Sequence, residues 1–295
     1  MAKARELKRR IRSVQSTRQI TKTMEMVSTS KLKRAQDRVV GARPYAAALA
    51  EVIADQYSPE LAEQFPLLRR PTHDARRTAL VLITSNRGLC GAFNANLIRE
   101  ARRRIADQER QGAQVELHLV GKKGVNFFRF AKRAAAMTRI DIGDKPTSVH
   151  AREVTDPLVA AFAAGSIDAV DVVFAKFNSP VSTPATTLRV LPIEAVGRSG
   201  GQAGAGAAHA TANYILKPSA AAILEKLLPL YVRNQIYRAL VETAAGEHGA
   251  RRTAMKNATD SAGDMLDLLR RTFNRARQAQ ITQEIAEIVG GAEAL

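Results

Sequence analysis

The ten residues Ser85–Asn94 (SNRGLCGAFN) gather most of what this sequence offers to chemistry: a hydroxyl, a thiol, two glycines and two asparagines. A glycine-containing turn between a strand and a helix presents backbone amides outward, and such amides can bind an anion. Gly88 and Gly91 equally serve a plain tight turn, and the turn is the reading adopted. No GxxxxGK[ST] phosphate loop occurs and no GxGxxG follows a strand, so nucleotide binding has no motif to rest on. Cys90 is the only cysteine, which excludes a disulfide scaffold. His118 is the histidine considered as its partner, but a thiol without the rest of a triad reads as a small packing residue. His73, His118, His150, His209 and His248 are scattered without ligand spacing, so no metal and no cofactor are expected. Asn257-Ala258-Thr259 matches a glycosylation sequon inside a helical pattern and is read as chance.

The elements that carry these residues differ along the chain. From the N-terminus to Gly41 there is neither glycine nor proline, and Leu7, Ile11, Val14, Thr17, Ile20, Met24 and Val27 recur at helical spacing. Leu32, Ala35, Val39 and Ala42 continue the pattern. A helix of about 40 residues would be about 60 Å long and needs a helical partner to bury its stripe. Gly41 and Pro44 are points where it would bend, and Tyr45–Tyr57 would extend it. At the other end, Pro218-Ser219 is a start signal, and a second long helix is expected over 230–289. Its stripe is Met255, Ala258, Ala262, Met265, Leu269, Phe273 and Ala276, then Ile281, Ile285 and Ile288 after a phase shift. Gly290-Gly291 is the expected stop, and Gly246, Gly249 and Gly263 weaken the helix by about 1 kcal/mol each.

Between the helices the period changes. Strands are expected at 78–85, 115–120, 137–142, 169–177 and 186–193, the last as a hairpin return. Helices fall at 94–111, 124–130 and 148–164. Strand–helix alternation implies a largely parallel sheet. Residues 197–212 form a Gly/Ala-rich low-complexity loop with no assigned role. The fold expected is therefore α/β: a long antiparallel coiled coil of the N- and C-terminal helices with an inserted Rossmann-like α/β domain. Its segments are 1–57 for the first shaft helix, 75–195 for the α/β domain, 196–216 for the loop and foot, and 217–295 for the second shaft helix.

Composition limits what such a molecule does. Lys and Arg exceed Asp and Glu by 17 in 295 residues, and hydrophobic residues make up 45%. That apolar share excludes a disordered chain. No stretch approaches the roughly 18 to 20 apolar residues of a membrane span. Aromatics are only 5% and Trp is absent, which suits slender Ala-rich helix packing. Residues 1–45 hold thirteen basic residues against three acidic ones, a net of +10, whereas residues 246–295 balance seven against seven. On the residues alone two other readings stay open. One is a nucleic-acid-binding coiled coil, although no aromatic residues interleave with the cations. The other is an enzyme using Ser85–Asn94 as an anion site, although no acid, base and nucleophile converge.

Four segments narrow these choices. IRSVQSTRQITKTMEMVSTSKLKRAQ (Ile11–Gln36) resembles the N-terminal helix of the gamma subunit of F-type ATP synthases, and SNRGLCGAFN resembles the turn after its first strand. GARRTAMKNATD (Gly249–Asp260) and RQAQITQEIAEIVGGAEAL (Arg277–Leu295) are similar to its C-terminal helix and tail. The resemblance implies a non-catalytic central rotor shaft, driven by proton flow through the c-ring, whose asymmetry works the nucleotide sites of the surrounding head. The implied partners are the alpha and beta subunits of the catalytic head, the epsilon subunit and the c-ring, with no nucleic acid. The implied location is the cytoplasmic face of a bacterial inner membrane, as a peripheral subunit.

The resemblance also carries over single residues. Met24 corresponds to the family's methionine near an acidic loop of the beta subunit, with Arg18, Lys22, Lys31 and Arg34 as further basic contacts. Arg277 and Gln278 match the Arg-Gln pair that touches a catalytic subunit. Thr282, Glu284 and Glu287 belong to the segment that couples with the methionine region. Foot contacts to the c-ring and epsilon are expected near 31–43 and 212–217. Chloroplast members carry a cysteine pair in the region equivalent to 192–214; this chain has none there, so no thiol switch is expected.

Overall fold

The computed structural model describes residues 2–56, 64–68, 76–193 and 220–293. In chain order the elements are α1 (Ala2–Gln56), a 3-10 turn (Pro66–Leu68), β1 (Arg77–Ile83), α2 (Phe93–Arg110), β2 (Gln114–Val120), α3 (Lys122–Phe130), β3 (Met137–Arg139), α4 (Ser148–Ala163), β4 (Ala169–Ala175), β5 (Ala185–Leu191) and α5 (Ala220–Glu293). They fall into two compact units, one made of Met1–Ser30 with Arg251–Leu295 and the other of Lys31–Ala250. The Gly/Ala-rich stretch and the foot segment 212–217 lie outside the described residues.

In the first unit the two helix segments run antiparallel: Arg18 lies against Gly263, and Thr259 bonds to Thr21. The inward positions of α1 are Leu7, Ile11, Val14, Thr21 and Ser28, spaced by alternating threes and fours once Arg18 and Glu25 are counted. On α5 they are Met255, Thr259, Ala262, Leu266, Leu269, Phe273 and Ala276, in the same alternation. That is the 3.5-residue repeat of a left-handed coiled coil. The stripe expected from apolarity alone was therefore one residue out of phase in places. Ile20 and Val27 are 57% and 51% exposed, while Thr21 and Ser28 point inward; Met265 is exposed and Leu266 buried. Small hydroxyl residues occupy the seam because two backbones approach there, and Ser28 and Thr21 donate their hydroxyls to their own helix. Ser28 Oγ donates to the Met24 carbonyl at 2.7 Å, and Thr21 Oγ1 to that of Arg18 at 3.0 Å.

In the second unit a five-stranded sheet has the order β3-β2-β1-β4-β5. The first four strands are parallel, and β5 returns antiparallel to β4 as a hairpin. This is the expected Rossmann-like order with an antiparallel edge. β1 (RTALVLI) and β4 (AVDVVFA) are nearly continuous apolar runs because helices cover both faces of the central strands. Leu80, Leu82, Leu117, Leu119 and Val173 pack under α2 and α3, with Phe93, Leu97, Ile105 and Phe128. Val81, Ile83, Val120 and Val172 face the other way, onto Val154, Leu158 and Phe162 of α4 and Leu228, Val232 and Ile236 of α5. β3 is shorter than expected: pairing ends at Arg139, because the Asn86 side-chain amide takes the carbonyls of Ile140 and Ile142.

Both long helices pass through their breakers. α1 continues through Gly41 and Pro44, and α5 contains Pro229 and runs on to Glu293. The expected stop at Gly290-Gly291 does not occur, since a glycine ends a helix by adopting positive φ and neither of these does so. From Ala239 to Gly249 every residue of α5 is buried. There Glu242 accepts from the Phe177 amide at 2.9 Å and from Arg238 Nε at 2.7 Å, and Thr243 accepts from the Ala175 amide at 3.3 Å. The helix thus satisfies the polar groups where β4 ends. Gly246 and Gly249 let the β4–β5 connection close onto it: a Cβ on Gly249 would lie 2.7 Å from the Pro180 carbonyl oxygen.

Candidate functional site

The turn after β1 is closed by its own side chains. Asn94 Oδ1 accepts from the Ser85 amide at 3.0 Å, and Asn94 Nδ2 donates to Ser85 Oγ at 2.8 Å and to Cys90 Sγ at 3.1 Å. The next helix start, at α3, is capped from the same turn. Its amides at Lys122, Lys123 and Gly124 donate to Asn86 Oδ1, the Ser85 carbonyl and Thr84 Oγ1. The amides at the start of α3, and the Ser85 amide of the turn itself, are thereby engaged. Gly121 is required here at φ +97, with the Thr84 carbonyl only 2.0 Å from any added Cβ. Leu89 is held at φ 61 and is 60% exposed.

Cys90 and His118 lie on opposite faces of the sheet. Cys90 packs with Leu117 and Leu119, and side chains alternate along β2, so His118 points away from it. Burial pushes the His118 pKa down, partly offset by Glu116, whose Oε1 lies 2.9 Å from Nε2. A cavity of about 490 Å³ lies at the carboxyl ends of β1 and β2, lined by Asn86, Arg87, Asp141, Asp144, His150 and Glu247 among others. Its charges are drawn into structural contacts. Asp144 pairs with Lys31, and its backbone carbonyl accepts from Arg38 at 3.4 Å. Burial opposes the Asp144 charge, but Lys31, His248 and Arg87 together hold its pKa below the usual range. Arg139 forks onto Asp141 at 2.6 and 2.8 Å. Among the described residues no group of three His, Cys, Asp or Glu side chains could hold a metal ion, and no helix is long and apolar enough to cross a membrane.

The residues named for coupling lie on the long helices. Met24 is half-buried, Lys22 is exposed, and Arg18 is exposed with its guanidinium across Gly263. Lys31 is committed to Asp144, and Arg34 is exposed. Arg277, Gln278, Thr282, Glu284 and Glu287 are all exposed. Thr282 donates to the Gln278 carbonyl at 3.0 Å, and Glu284 and Glu287 accept from Gln280 and Gln283 at 2.8 and 2.9 Å, so all three make bonds along their own helix. The Thr21–Thr259 pairing puts Arg277 about 30 Å along the axis from Met24 at 1.5 Å per residue. The structure therefore brings the methionine region and the 277–287 segment into no contact with each other. Ile281, Ile285, Ile288 and Val289 leave an exposed apolar face beside the latter. The buried hydroxyls of Thr21, Ser28 and Thr259 escaped the sequence reading; strict alternation of threes and fours, rather than apolarity, is the signal that finds them.

Two long helices paired on a heptad seam, an α/β domain whose crevice aspartates Asp141 and Asp144 are ion-paired, and exposed polar and apolar faces define a helical-shaft protein with an α/β insert. Comparison with known proteins gives the family. The model of the ATP synthase family matches residues 3–295. The ATP synthase gamma chain of Gemmatimonas aurantiaca is 62% identical over 295 residues, covering 100% of this chain and 99% of that one. That of Moorella thermoacetica is 44% identical with full coverage of both. A chain of the Euglena gracilis mitochondrial ATP synthase, in the OSCP/F1/c-ring assembly, matches in fold with a TM-score of 0.68 at 20% identity, covering 99% of this chain and 94% of that one. A chain of the rotor of the same enzyme gives 0.63 at 18% identity, covering 95% and 99%. The chain belongs to the ATP synthase gamma-chain family.

Proposed function

We propose that this chain is the central-stalk rotor subunit of an F-type ATP synthase, transmitting c-ring rotation to the catalytic beta subunits of the alpha–beta head. The observation that carries this is the antiparallel seam of the terminal helices. It gives a stiff pair whose surface bears exposed cations on α1 and exposed carboxylates and isoleucines near the end of α5. On this reading the chain is non-catalytic: nucleotide chemistry belongs to the head, in keeping with a sequence that carries no GxxxxGK[ST] phosphate loop. Its partners are the alpha, beta and epsilon subunits and the c-ring, and it sits peripherally on the cytoplasmic face of the bacterial inner membrane. Residues 1–57 and 217–295 act as shaft, 75–195 as the domain beside it and 196–216 as loop and foot. Met24, Arg277, Gln278, Thr282, Glu284 and Glu287 transmit torque to the beta subunits, with Arg18, Lys22 and Arg34 as basic contacts. Lys31 also shapes the foot through Asp144.

Purification of the tagged chain tests the assignment. It is expected to bring down alpha and beta subunits in a fixed ratio with one copy of this chain; recovery alone, or with nucleic acid that salt removes, would refute it. Met24→Lys adds a cation where the family resemblance places an acidic beta loop. It is expected to impair coupling of ATP hydrolysis to proton transport in vesicles, and unchanged coupling would remove Met24 from the mechanism.

A further inference from the structure

Within the unit 31–250, α1, α4 and α5 enclose a groove of about 640 Å³, inside the range of about 300–1,000 Å³ usual for small-ligand sites. Tyr45, Val149, Leu230 and Tyr237 give it an apolar lining, and Tyr45, Val149 and Leu230 are exposed there. Arg38, Arg152 and Arg233 stand around it, and no Asp or Glu lines it. Arg233 is partly neutralised by Asp156 at 2.8 Å, and Arg38 makes one long bond to a backbone carbonyl. Arg152 is exposed, and its side chain has no partner among the described residues. Asn234, 9% exposed, also lines the groove.

We propose that this groove binds a small amphipathic carboxylate. Its hydrocarbon body would lie on Val149, Leu230 and the two tyrosines. Its head group would sit among Arg38, Arg152 and Asn234. The head must be anionic because unneutralised guanidinium charge surrounds the groove with no lining carboxylate to answer it. A carboxylate matches the planar guanidinium fork. The body must be apolar because that lining gains only by leaving water. The inference goes beyond the rotor reading and does not depend on it.

The test titrates the full-length chain with decanoate below its micelle concentration, read by calorimetry and by tyrosine emission. The chain has five tyrosines and no Trp, and Tyr45 and Tyr237 line the groove, so the emission reports on it. Saturable binding is expected, with acetate and decylamine failing to bind. Arg152→Glu should weaken decanoate at least about tenfold, a free-energy change readily resolved by calorimetry. Gly41 lines the groove and has nothing within 4 Å of an added Cβ, so Gly41→Phe should fill the space and abolish binding. Circular dichroism confirms that each variant keeps its helix content; if Gly41→Phe does not, Arg38→Gln replaces it and should also weaken binding. Non-saturable uptake, equal affinity in wild type and variants, or equal binding of decylamine would overturn the proposal.

Discussion

Asp171 sits at the middle of β4 with no exposed surface, and three donor side chains converge on it. Arg104 and Gln108 reach from α2 at 2.7–2.8 Å, and Arg189 forks from β5 at 2.9 and 3.3 Å. Breaking a buried ion pair from one side costs about 3–5 kcal/mol, but the two arginines are 31% and 27% exposed and would recover some hydration. Asp171→Asn is therefore expected to destabilise by about 2–4 kcal/mol in urea unfolding of the chain; a loss under 0.5 kcal/mol would mean the cluster is not structural. Asp141 is the opposite case. Hydrogen bonds from Arg139 hold its pKa down at about 2, against partial burial. A depressed carboxyl stabilises above its unfolded pKa, and the contribution fades as pH falls from about 4 toward 2. Because Asp141 is more than half exposed, that contribution is about 0–1 kcal/mol. Asp141→Asn should show a small stability deficit at pH 6 that disappears near pH 2; a deficit that grows with acid would reverse the assignment.

Helix α5 shows how far an element can be read before its neighbours are known. Gly246, Gly249 and Gly263 look alike in sequence, each a cost of about 1 kcal/mol relative to Ala. In the structure they separate. Gly249 faces the Pro180 carbonyl at 2.7 Å, whereas an added Cβ on Gly263 would meet only Arg18 at 3.6 Å, an ordinary contact. Gly263→Ala is expected to raise stability by up to about 1 kcal/mol and Gly249→Ala to lower it, compared by thermal unfolding; the same sign for both would refute the packing argument. The strands and the order of elements were legible because apolar runs and their period are local properties. The seam was legible only in part. Ile20 and Val27 outrank Thr21 and Ser28 on any apolar scale, yet the heptad spacing and close backbone approach place the hydroxyls inside. The Lys31–Asp144 pair was not legible, since 113 residues separate its members. Arg277, Thr282 and Glu287 gave no signal beyond the family resemblance, because exposed helix residues that pack on nothing in their own chain leave no mark on its fold. A register role for Thr21–Thr259 can be tested on the seam itself. Thr259→Ser keeps the hydroxyl that bonds Thr21 at 2.7 Å and Thr259→Val removes it. The serine variant should retain near-native melting and the valine variant should lose about 0.5–1.5 kcal/mol; equal losses would show that packing, not the bond, sets the site.

At the scale of the whole molecule the net charge of +17 needs an account, because self-repulsion on this scale disfavours a compact state unless partners use it. The excess lies mainly in residues 1–45, and Lys8, Arg9 and Arg12 are exposed on α1. Exposed cations that meet an acidic partner surface act chiefly on the rate of encounter: they steer the approach, while the apolar contacts formed afterwards set the lifetime. If the proposed rotor enters a head whose inner loops are acidic, replacing Lys8, Arg9 and Arg12 together with Gln should slow association with isolated alpha–beta head. The effect should be about tenfold or more at low ionic strength, with little change in dissociation. The difference should shrink as salt rises, since screening at about 0.15 M already reaches across about 8 Å. Exposed Ile281, Ile285 and Ile288 predict the complementary pattern: replacing them with Ser should speed dissociation and leave the salt dependence of association unchanged. Stopped-flow mixing of labelled chain with head reads both. A triple-Gln variant that associates at the wild-type rate at every salt concentration would disconnect the basic N-terminal segment from assembly.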